Sequence, residues 1–132
     1  IDCTLVSPLD SAGRPHPGTT RVAGKSLEEA AKTKRRTYKE LVDSPDLRLV
    51  VAAAEVGGRL HDSARKLLWS AAMFRAQSES PRLRAAMCRA FHCRWVTLLS
   101  VATQDSLAAT LIEEGASLLD GVGGALPVPA AA

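Results

Sequence analysis

One apolar run constrains the fold of this chain more than any other feature. Residues 47–56 read LRLVVAAAEV, carry apolar side chains at both odd and even positions, and end at Gly57-Gly58. A run of this length that is apolar on both parities predicts a β-strand covered on both faces. Such a strand needs a neighbouring strand and covering helices, so we expect an α/β fold.

The upstream segments supply the rest of a β-α-β unit. Residues 1–7, IDCTLVS, have the composition of a strand, and the Pro- and Gly-rich residues 8–25 predict a long loop. Ser26 and Glu29 have the spacing of a capping box, which predicts a helix over residues 26–42. Strands joined through such a helix are expected to be parallel, with a right-handed connection.

Two helices are predicted for the remainder of a small domain. An apolar stripe marks a helix over residues 62–77, and Ser80-Pro81 opens a second helix that continues to the end of a single domain, residues 1–114. Residues 115–132, rich in Gly, Pro and Ala, are predicted to be a disordered tail. Because two strands alone make a poor sheet, we expect at least one further strand upstream.

Composition excludes several classes of protein. No continuous run of about 18 apolar residues occurs, so no transmembrane helix is predicted, and no signal peptide is visible. Three cysteines do not make a disulfide scaffold and favour a reducing compartment, so we expect a nuclear or cytoplasmic protein, not a secreted one. No Gly-rich phosphate loop or nucleophile elbow is present, so no small-molecule cofactor is expected.

Basic residues lie mainly in two segments, residues 14–39 and residues 59–95, each of which contains eight Lys/Arg and two acids. Residues 96–132 contain four acids and no Lys/Arg. This asymmetry suits a polyanionic partner such as double-stranded DNA, although ordinary solvated proteins share it. The residues expected to contact a DNA backbone are Arg14, Arg21, Lys25, Lys32, Arg35 and Arg36.

Lys34 is unusual on the predicted first helix. Leu27, Ala31 and Tyr38 define the apolar face of that helix. At about 100° per residue, Lys34 lies about 20° from Leu27, in the middle of that face. A lysine there is costly unless an anion meets it; the alternative is a side chain that follows the edge of the apolar stripe to water.

Asp2 is the candidate anion. It shares one face of the first strand with Thr4 and Val6. A carboxylate that binds Mg²⁺, with a lysine that positions water or offsets phosphate charge, is a combination suited to phosphodiester hydrolysis. The alternative is that Asp2 is a strand-end residue in water.

Three segments resemble a known family. The sequences IDCTLVSPL, LEEAAKTKRRTY and RLVVAAAEVGGR are similar to the C-terminal restriction-endonuclease-like domain of retroelement reverse-transcriptase open reading frames, which belongs to the PD-(D/E)xK nuclease fold. The similarity covers residues 1–60, with a weaker helical similarity to about Glu114. It implies an endonuclease that uses Mg²⁺ or Mn²⁺ to nick one strand of double-stranded DNA.

The resemblance also implies roles for individual residues. Asp2 matches the second acidic position, a metal ligand, and Thr4 stands where the simplest motif has its lysine. A family variant carries that lysine on the following helix, where Lys34 matches it, and Tyr38 matches an aromatic position one turn later. The family's first acidic residue lies on a strand upstream of Asp2, so this chain by itself is expected to bind metal and cleave DNA poorly.

Glu55 is the other acidic candidate. The resemblance favours a catalytic role for it, and an acid is unusual among the apolar residues that share its strand face. However, Asp2 begins its strand and Glu55 ends its own, which separates them by about 15–20 Å in parallel strands. The alternative is a contact with the Gly57-Gly58 turn or with Arg59.

Cys88, His92 and Cys93 carry metal-ligating atoms at close spacing. They lie on one predicted helix, whereas zinc sites gather ligands from separate pieces of chain. A buried helix face is therefore the expected explanation.

Two interpretations compete with a nuclease. The chain is then either a non-enzymatic basic module that binds nucleic acid or protein, or the product of a decayed open reading frame. Steep salt dependence of DNA binding without a metal requirement favours the binding module.

Overall fold

The computed structural model describes the backbone of residues 1–122 and the side chains of residues 1–115. Within these residues the chain is a mixed α/β protein with two parallel strands and four helices. The elements in chain order are β1 (Asp2–Val6), α1 (Lys25–Thr37), α2 (Lys39–Val42), β2 (Val51–Glu55), α3 (Asp62–Ala76) and α4 (Arg84–Val122).

The two strands pair in the predicted parallel orientation. Asp2 lies opposite Val51, and Val6 lies opposite Glu55. β2 is shorter than the predicted residues 47–56, because β1 offers only five residues for pairing. The β-α-β arrangement inferred from the sequence is confirmed.

α1 covers one face of the sheet. Its Leu27 and Ala31 pack with Val51 and Ala53 of β2 in one buried cluster. Leu27 and Val51 are 2% and 1% exposed and are the largest fully buried side chains. Burying two such side chains contributes roughly 2–3 kcal/mol each, so this contact holds α1 on the sheet.

The opposite face of the sheet is only partly covered. Ala52 and Ala54 are half-buried, and Leu5 of β1 is exposed. Among the described helices, α1 alone contacts β1. For β2, which α3 and α4 also contact, the prediction of a strand covered on both faces holds fully on the α1 face and in part on the other.

The N-terminus of α1 differs from the predicted capping box. The N-cap is Gly24, whose φ of +76° is the left-handed conformation that glycine adopts at low cost, and no side chain caps the helix. Ser26 lies inside the first turn, and its hydroxyl is directed to Glu55 instead. The predicted helix over residues 26–42 is also interrupted at Tyr38, whose non-helical backbone separates α1 from α2.

A stretch that the sequence did not predict runs back along β2. After the Gly57-Gly58 turn, Leu60 forms an antiparallel bridge with Ala54. The His61 N–H then donates to the Ala53 carbonyl at 2.9 Å. β2 is thus paired on both of its edges, and this stretch leads directly into α3.

α3 and α4 form a helical hairpin. Ala72 and Ala76 of α3 pack with Cys88 of α4 in a second buried cluster. α3 confirms the predicted helix, whereas α4, predicted to end at about residue 114, passes through Gly115 and continues to Val122. Residues 123–132 of the predicted tail lie outside the described residues.

One part of α4 meets simple criteria for a membrane span. The segment Arg84–Gly115 contains an 18-residue window with a mean hydropathy of 1.2, none of which is buried. Ser, Thr and Gln residues interrupt the apolar ones, so this segment contains no continuous apolar run of about 18 residues. Length and composition alone are a weak indication, and they assign no membrane role to this helix.

Candidate functional site

Asp2 and Lys34 meet at the edge of the sheet. Lys34 Nζ lies 3.1 Å from Asp2 Oδ2, although the two residues are 32 positions apart in the chain. β1 places Asp2 on the face that α1 covers, and the helical phase of α1 directs Lys34 toward the same place. The side chains are 23% and 30% exposed, so the pair is largely enclosed. The predicted juxtaposition of a carboxylate and an ammonium is confirmed.

The contact between Lys34 and Asp2 is an ion pair with poor hydrogen-bond geometry. The geometry allows Lys34 Nζ to donate only to Oδ1, at a long 3.5 Å. Oδ2, the nearer oxygen, is buried and accepts no hydrogen bond from the described residues. The Lys34 ammonium, at 3.1 Å, is therefore the group that compensates the charge of this buried oxygen.

Tyr38 lies beside the same ammonium. Lys34 Nζ is 5.9 Å from the centre of the Tyr38 ring, within the range of a weak cation–π contact. Tyr38 sits where α1 ends, so the break in the helix positions its ring next to the pair. The aromatic residue that the resemblance singled out is thus adjacent to Lys34.

Glu55 does not join this site. The register places it opposite Val6, four residues along the sheet from Asp2, which corresponds to about 13 Å. Its Oε1 accepts a 2.8 Å hydrogen bond from Ser26 Oγ, and its Oε2 lies 3.8 Å from Arg59 Nε. Its backbone N–H donates to the Arg59 carbonyl, and its carbonyl closes the turn with Gly58. The contacts proposed as the alternative for Glu55 are present, and they account for its burial.

A histidine that the sequence analysis did not single out links three elements. His61 Nε2 lies 3.1 Å from Glu28 Oε2 of α1, and His61 Nδ1 accepts the N–H of Ser63 at the start of α3. The Ser63 hydroxyl also donates to the Val51 carbonyl of β2. The hydrogen bond from His61 is the main cause that lowers the pKa of the Glu28 carboxyl below 4.5. In the sequence, this helix cap was indicated only by the position of His61, two residues before Ser63 at the start of a predicted helix.

The basic residues predicted to contact DNA fall into two sets: Lys25, Lys32 and Arg35 line one groove between α1 and the start of α3, whereas Arg14, Arg21 and Arg36 do not. Arg14 is held by Asp10 within the loop, with Arg14 Nη2 3.0 Å from Asp10 Oδ2, and Lys32 is paired with Glu29 at 3.5 Å. Of the other four, Lys25 is half-buried, and the three exposed residues are Arg21, Arg35 and Arg36. None of these four forms an ion pair with a described residue.

The described residues do not make a complete metal site. No group of three or more His, Cys, Asp or Glu side chains within them is arranged to hold a metal ion. Asp2 is the single carboxylate beside Lys34, which is too few ligands for Mg²⁺ or Mn²⁺. Cys88 is buried in the helical hairpin, Cys93 is exposed, and the His92 ring stacks edge-on against Trp69 at 5.2 Å. The explanation of these three residues as a helix face agrees with this arrangement.

The chain matches no protein-family model, no curated protein and no solved structure. The contacts described above are therefore the basis for any functional conclusion. At the sheet edge, Asp2 and Lys34 form a partly enclosed pair of opposite charges.

Proposed function

We propose that this chain is part of a restriction-endonuclease-like domain, encoded by a retroelement, that nicks double-stranded DNA in the nucleus or cytoplasm. The observation that carries the proposal is the contact between Asp2 and Lys34, across 32 residues of sequence. It brings together the two residues that match the family's acidic and lysine positions. No other pair among the described residues combines this match with partial burial.

The proposal assigns Lys34 an electrostatic role. Its ammonium is partly enclosed, so the field at a nearby phosphate is screened less than at an open surface. Stabilising the negative charge that develops on a phosphoryl group is the form of catalysis that such a lysine supplies. Asp2 holds the ammonium in place and, in the intact domain, would be one ligand of Mg²⁺ or Mn²⁺.

The described residues provide too few carboxylates beside Lys34 to complete a Mg²⁺ or Mn²⁺ site, so this chain alone is expected to have little nicking activity. Glu55 is held by Ser26 and Arg59 on the far side of the sheet. A catalytic role for Glu55 would require it to leave both partners. The proposal is therefore confined to Asp2 and Lys34.

Plasmid nicking tests the proposal. The chain and a version extended upstream along its own reading frame are incubated with supercoiled plasmid and Mg²⁺ or Mn²⁺. We expect the extended protein to nick and its Lys34→Ala variant to lose at least about 100-fold in rate, as is typical for a lost charge-stabilising group. Lys39→Ala, which removes an exposed lysine from α2, is the matched control and is expected to retain the rate.

Two results would overturn the proposal. An extended protein that is folded by circular dichroism but nicks no plasmid would remove the enzymatic function. Full activity of the Lys34→Ala variant would remove the assigned role of Lys34.

A second candidate is a nucleic-acid-binding module without chemistry. The observation that favours it is the lack of a metal-binding group among the described side chains, together with basic residues that have no acidic partner there. Metal-independent DNA binding that weakens steeply with salt, in a protein that never nicks, is its expected signature.

A further inference from the structure

A large open groove lies between α1 and the start of α3. Its volume is about 1130 Å³. Leu27, Leu49, Leu60 and Leu67 are among the residues that line it, so its floor is apolar. Residues 22–25, where the loop before α1 meets the helix, line the groove, whereas Arg14 and Arg21 of the same loop do not.

Both walls of the groove are basic. One wall carries Lys25, Lys32 and Arg35 from the α1 side. The other carries Arg48, Arg59, Arg65 and Lys66, from the segment before β2 to the first turns of α3. Seven Lys/Arg face three acids there, an excess larger than the formal net charge of +3 of the whole chain. The positive charge of the protein is thus concentrated in one concave surface.

The acids of the groove compensate little of this charge. Glu28 is engaged by His61, and Glu29 is paired with Lys32. Arg35 on one wall and Arg65 on the other are exposed and form no ion pair with a described residue. Uncompensated cations therefore face each other across the groove, which is the pattern that binds a linear polyanion.

The lining also limits what kind of polyanion fits. No Phe, Trp or Tyr lines the groove, so it provides no platform on which unpaired bases stack. Lysine and arginine side chains contact phosphate oxygens without requiring a particular base. These features favour the backbone of a duplex over a single strand.

One end of the groove lies next to the Asp2 site. Val50 lines the groove, and its carbonyl accepts the backbone N–H of Asp2 at 3.0 Å. Asp2 is thus one backbone hydrogen bond away from the groove, although neither Asp2 nor Lys34 lines it.

We propose that this groove is the surface that holds the sugar–phosphate backbone of duplex DNA, with Arg35, Arg48, Arg65 and Lys66 as its main phosphate contacts. The inference rests on the proposed function and deepens it by naming where the substrate lies. The groove residues replace Arg14 and Arg21 as the expected DNA contacts, because those two loop residues do not line the groove.

Fluorescence anisotropy with a labelled duplex tests the groove independently of nicking. The whole chain is titrated in EDTA, at several salt concentrations, with a duplex of about 20 base pairs. The double variant Arg65→Glu/Lys66→Glu is expected to bind at least about 10-fold more weakly, and the slope of log K against log salt is expected to become shallower by about 2.

The matched control is Arg89→Glu/Arg94→Glu. It makes the same charge change at two exposed α4 residues that do not line the groove. Its affinity is expected to stay within about 3-fold of the unmodified chain, since long-range attraction alone is screened by salt. Circular dichroism of both variants shows that the fold is retained.

The outcomes separate this inference from the proposed function. Equal losses of duplex affinity in the groove variant and the control would overturn the groove as the DNA-binding surface, whether or not the extended protein nicks. A loss of affinity in the groove variant alone, in a protein that never nicks, would retain the groove as the binding surface and overturn the nuclease function. Displacement of the duplex by polyglutamate at equal charge concentration, or tighter binding of an RNA duplex, would overturn DNA as the ligand.

Discussion

Ser26 donates its hydroxyl to Glu55 Oε1 at 2.8 Å and thereby joins the first turn of α1 to the last residue of β2. Glu55 is only 9% exposed, and Arg59, its other side-chain partner, lies at 3.8 Å. The serine is therefore the closer of the two groups that compensate a buried carboxylate. This contact closes the end of the β-α-β unit opposite to Asp2.

Replacing Ser26 with alanine is expected to lower the free energy of unfolding by about 1–2 kcal/mol, because the carboxylate of Glu55 loses a charge-assisted hydrogen bond. Urea unfolding followed by circular dichroism measures the change. Ser70→Ala is the control, since Ser70 Oγ donates only to the Lys66 carbonyl on its own helix. Equal stability losses for the two variants would contradict the importance of the Glu55 contact.

The Asp2–Lys34 pair is expected to contribute modestly to stability. Its side chains are 23% and 30% exposed and its hydrogen-bond geometry is poor, so a coupling energy of about 0.5–1 kcal/mol is expected. A double-mutant cycle with Asp2→Asn and Lys34→Met isolates that energy. A coupling energy of zero would show that the two groups do not interact in solution.

Acid is expected to weaken the contact between α1 and His61. Because the hydrogen bond from His61 lowers the pKa of Glu28 below 4.5, the pair stabilises the fold at neutral pH, and this contribution is lost as the pH falls below 4.5. Glu28 is 49% exposed, so the contribution is reduced by solvent to about 0.3–0.5 kcal/mol.

Urea unfolding between neutral and acidic pH checks the role of Glu28. Glu28→Gln is expected to flatten the decline of stability with acid, whereas Glu29→Gln, which removes a carboxylate paired only with Lys32, is expected to keep the decline of the unmodified chain. Identical curves for the Glu28→Gln variant and the unmodified chain would contradict the contribution.

The turn after β2 is expected to tolerate substitution at only one of its two glycines. Gly58 has a φ of +85°, and a Cβ there would lie 2.8 Å from the Ser100 carbonyl oxygen of α4. Gly58→Ala is therefore expected to cost about 2–3 kcal/mol, from backbone strain and from displacement of α4. At Gly57 a Cβ meets no atom within 4 Å, so Gly57→Ala is the control. A cost at Gly57 as large as that at Gly58 would show that the close approach to α4 is not the cause.

The sequence was most informative where one residue contradicted a regular pattern. Lys34 on an apolar helical face indicated either an acidic partner or a side chain that follows the stripe edge to water, and the structure supplies Asp2 at 3.1 Å. The parallel pairing and α3 were also predictable, because they depend on apolar spacing within short segments. For Glu55 the sequence left two roles open, catalysis or a contact with the Gly57-Gly58 turn or Arg59, and the structure contains the contact with Arg59.

Other features depend on contacts between distant segments and left no local signal. Ser26 has the spacing of a helix cap, yet its partner is Glu55, 29 residues away. The groove is formed by α1 and α3 together, so its charge was visible in the sequence only as two separate basic segments. The continuation of α4 through Gly115 also went against local propensity, since glycine costs about 1 kcal/mol within a helix.

The parallel sheet has a consequence for the order of folding. Each residue of β1 pairs with a residue of β2 that lies 49 positions further along, from Asp2 and Val51 to Val6 and Glu55. Closing a loop of that length costs about 3 kcal/mol of chain entropy before any strand contact compensates it. α3 and α4 are adjacent in the chain and close a much shorter loop. The helical hairpin is therefore expected to form early, and the strand pairing that assembles Asp2 with Lys34 is expected to form late and to limit the folding rate.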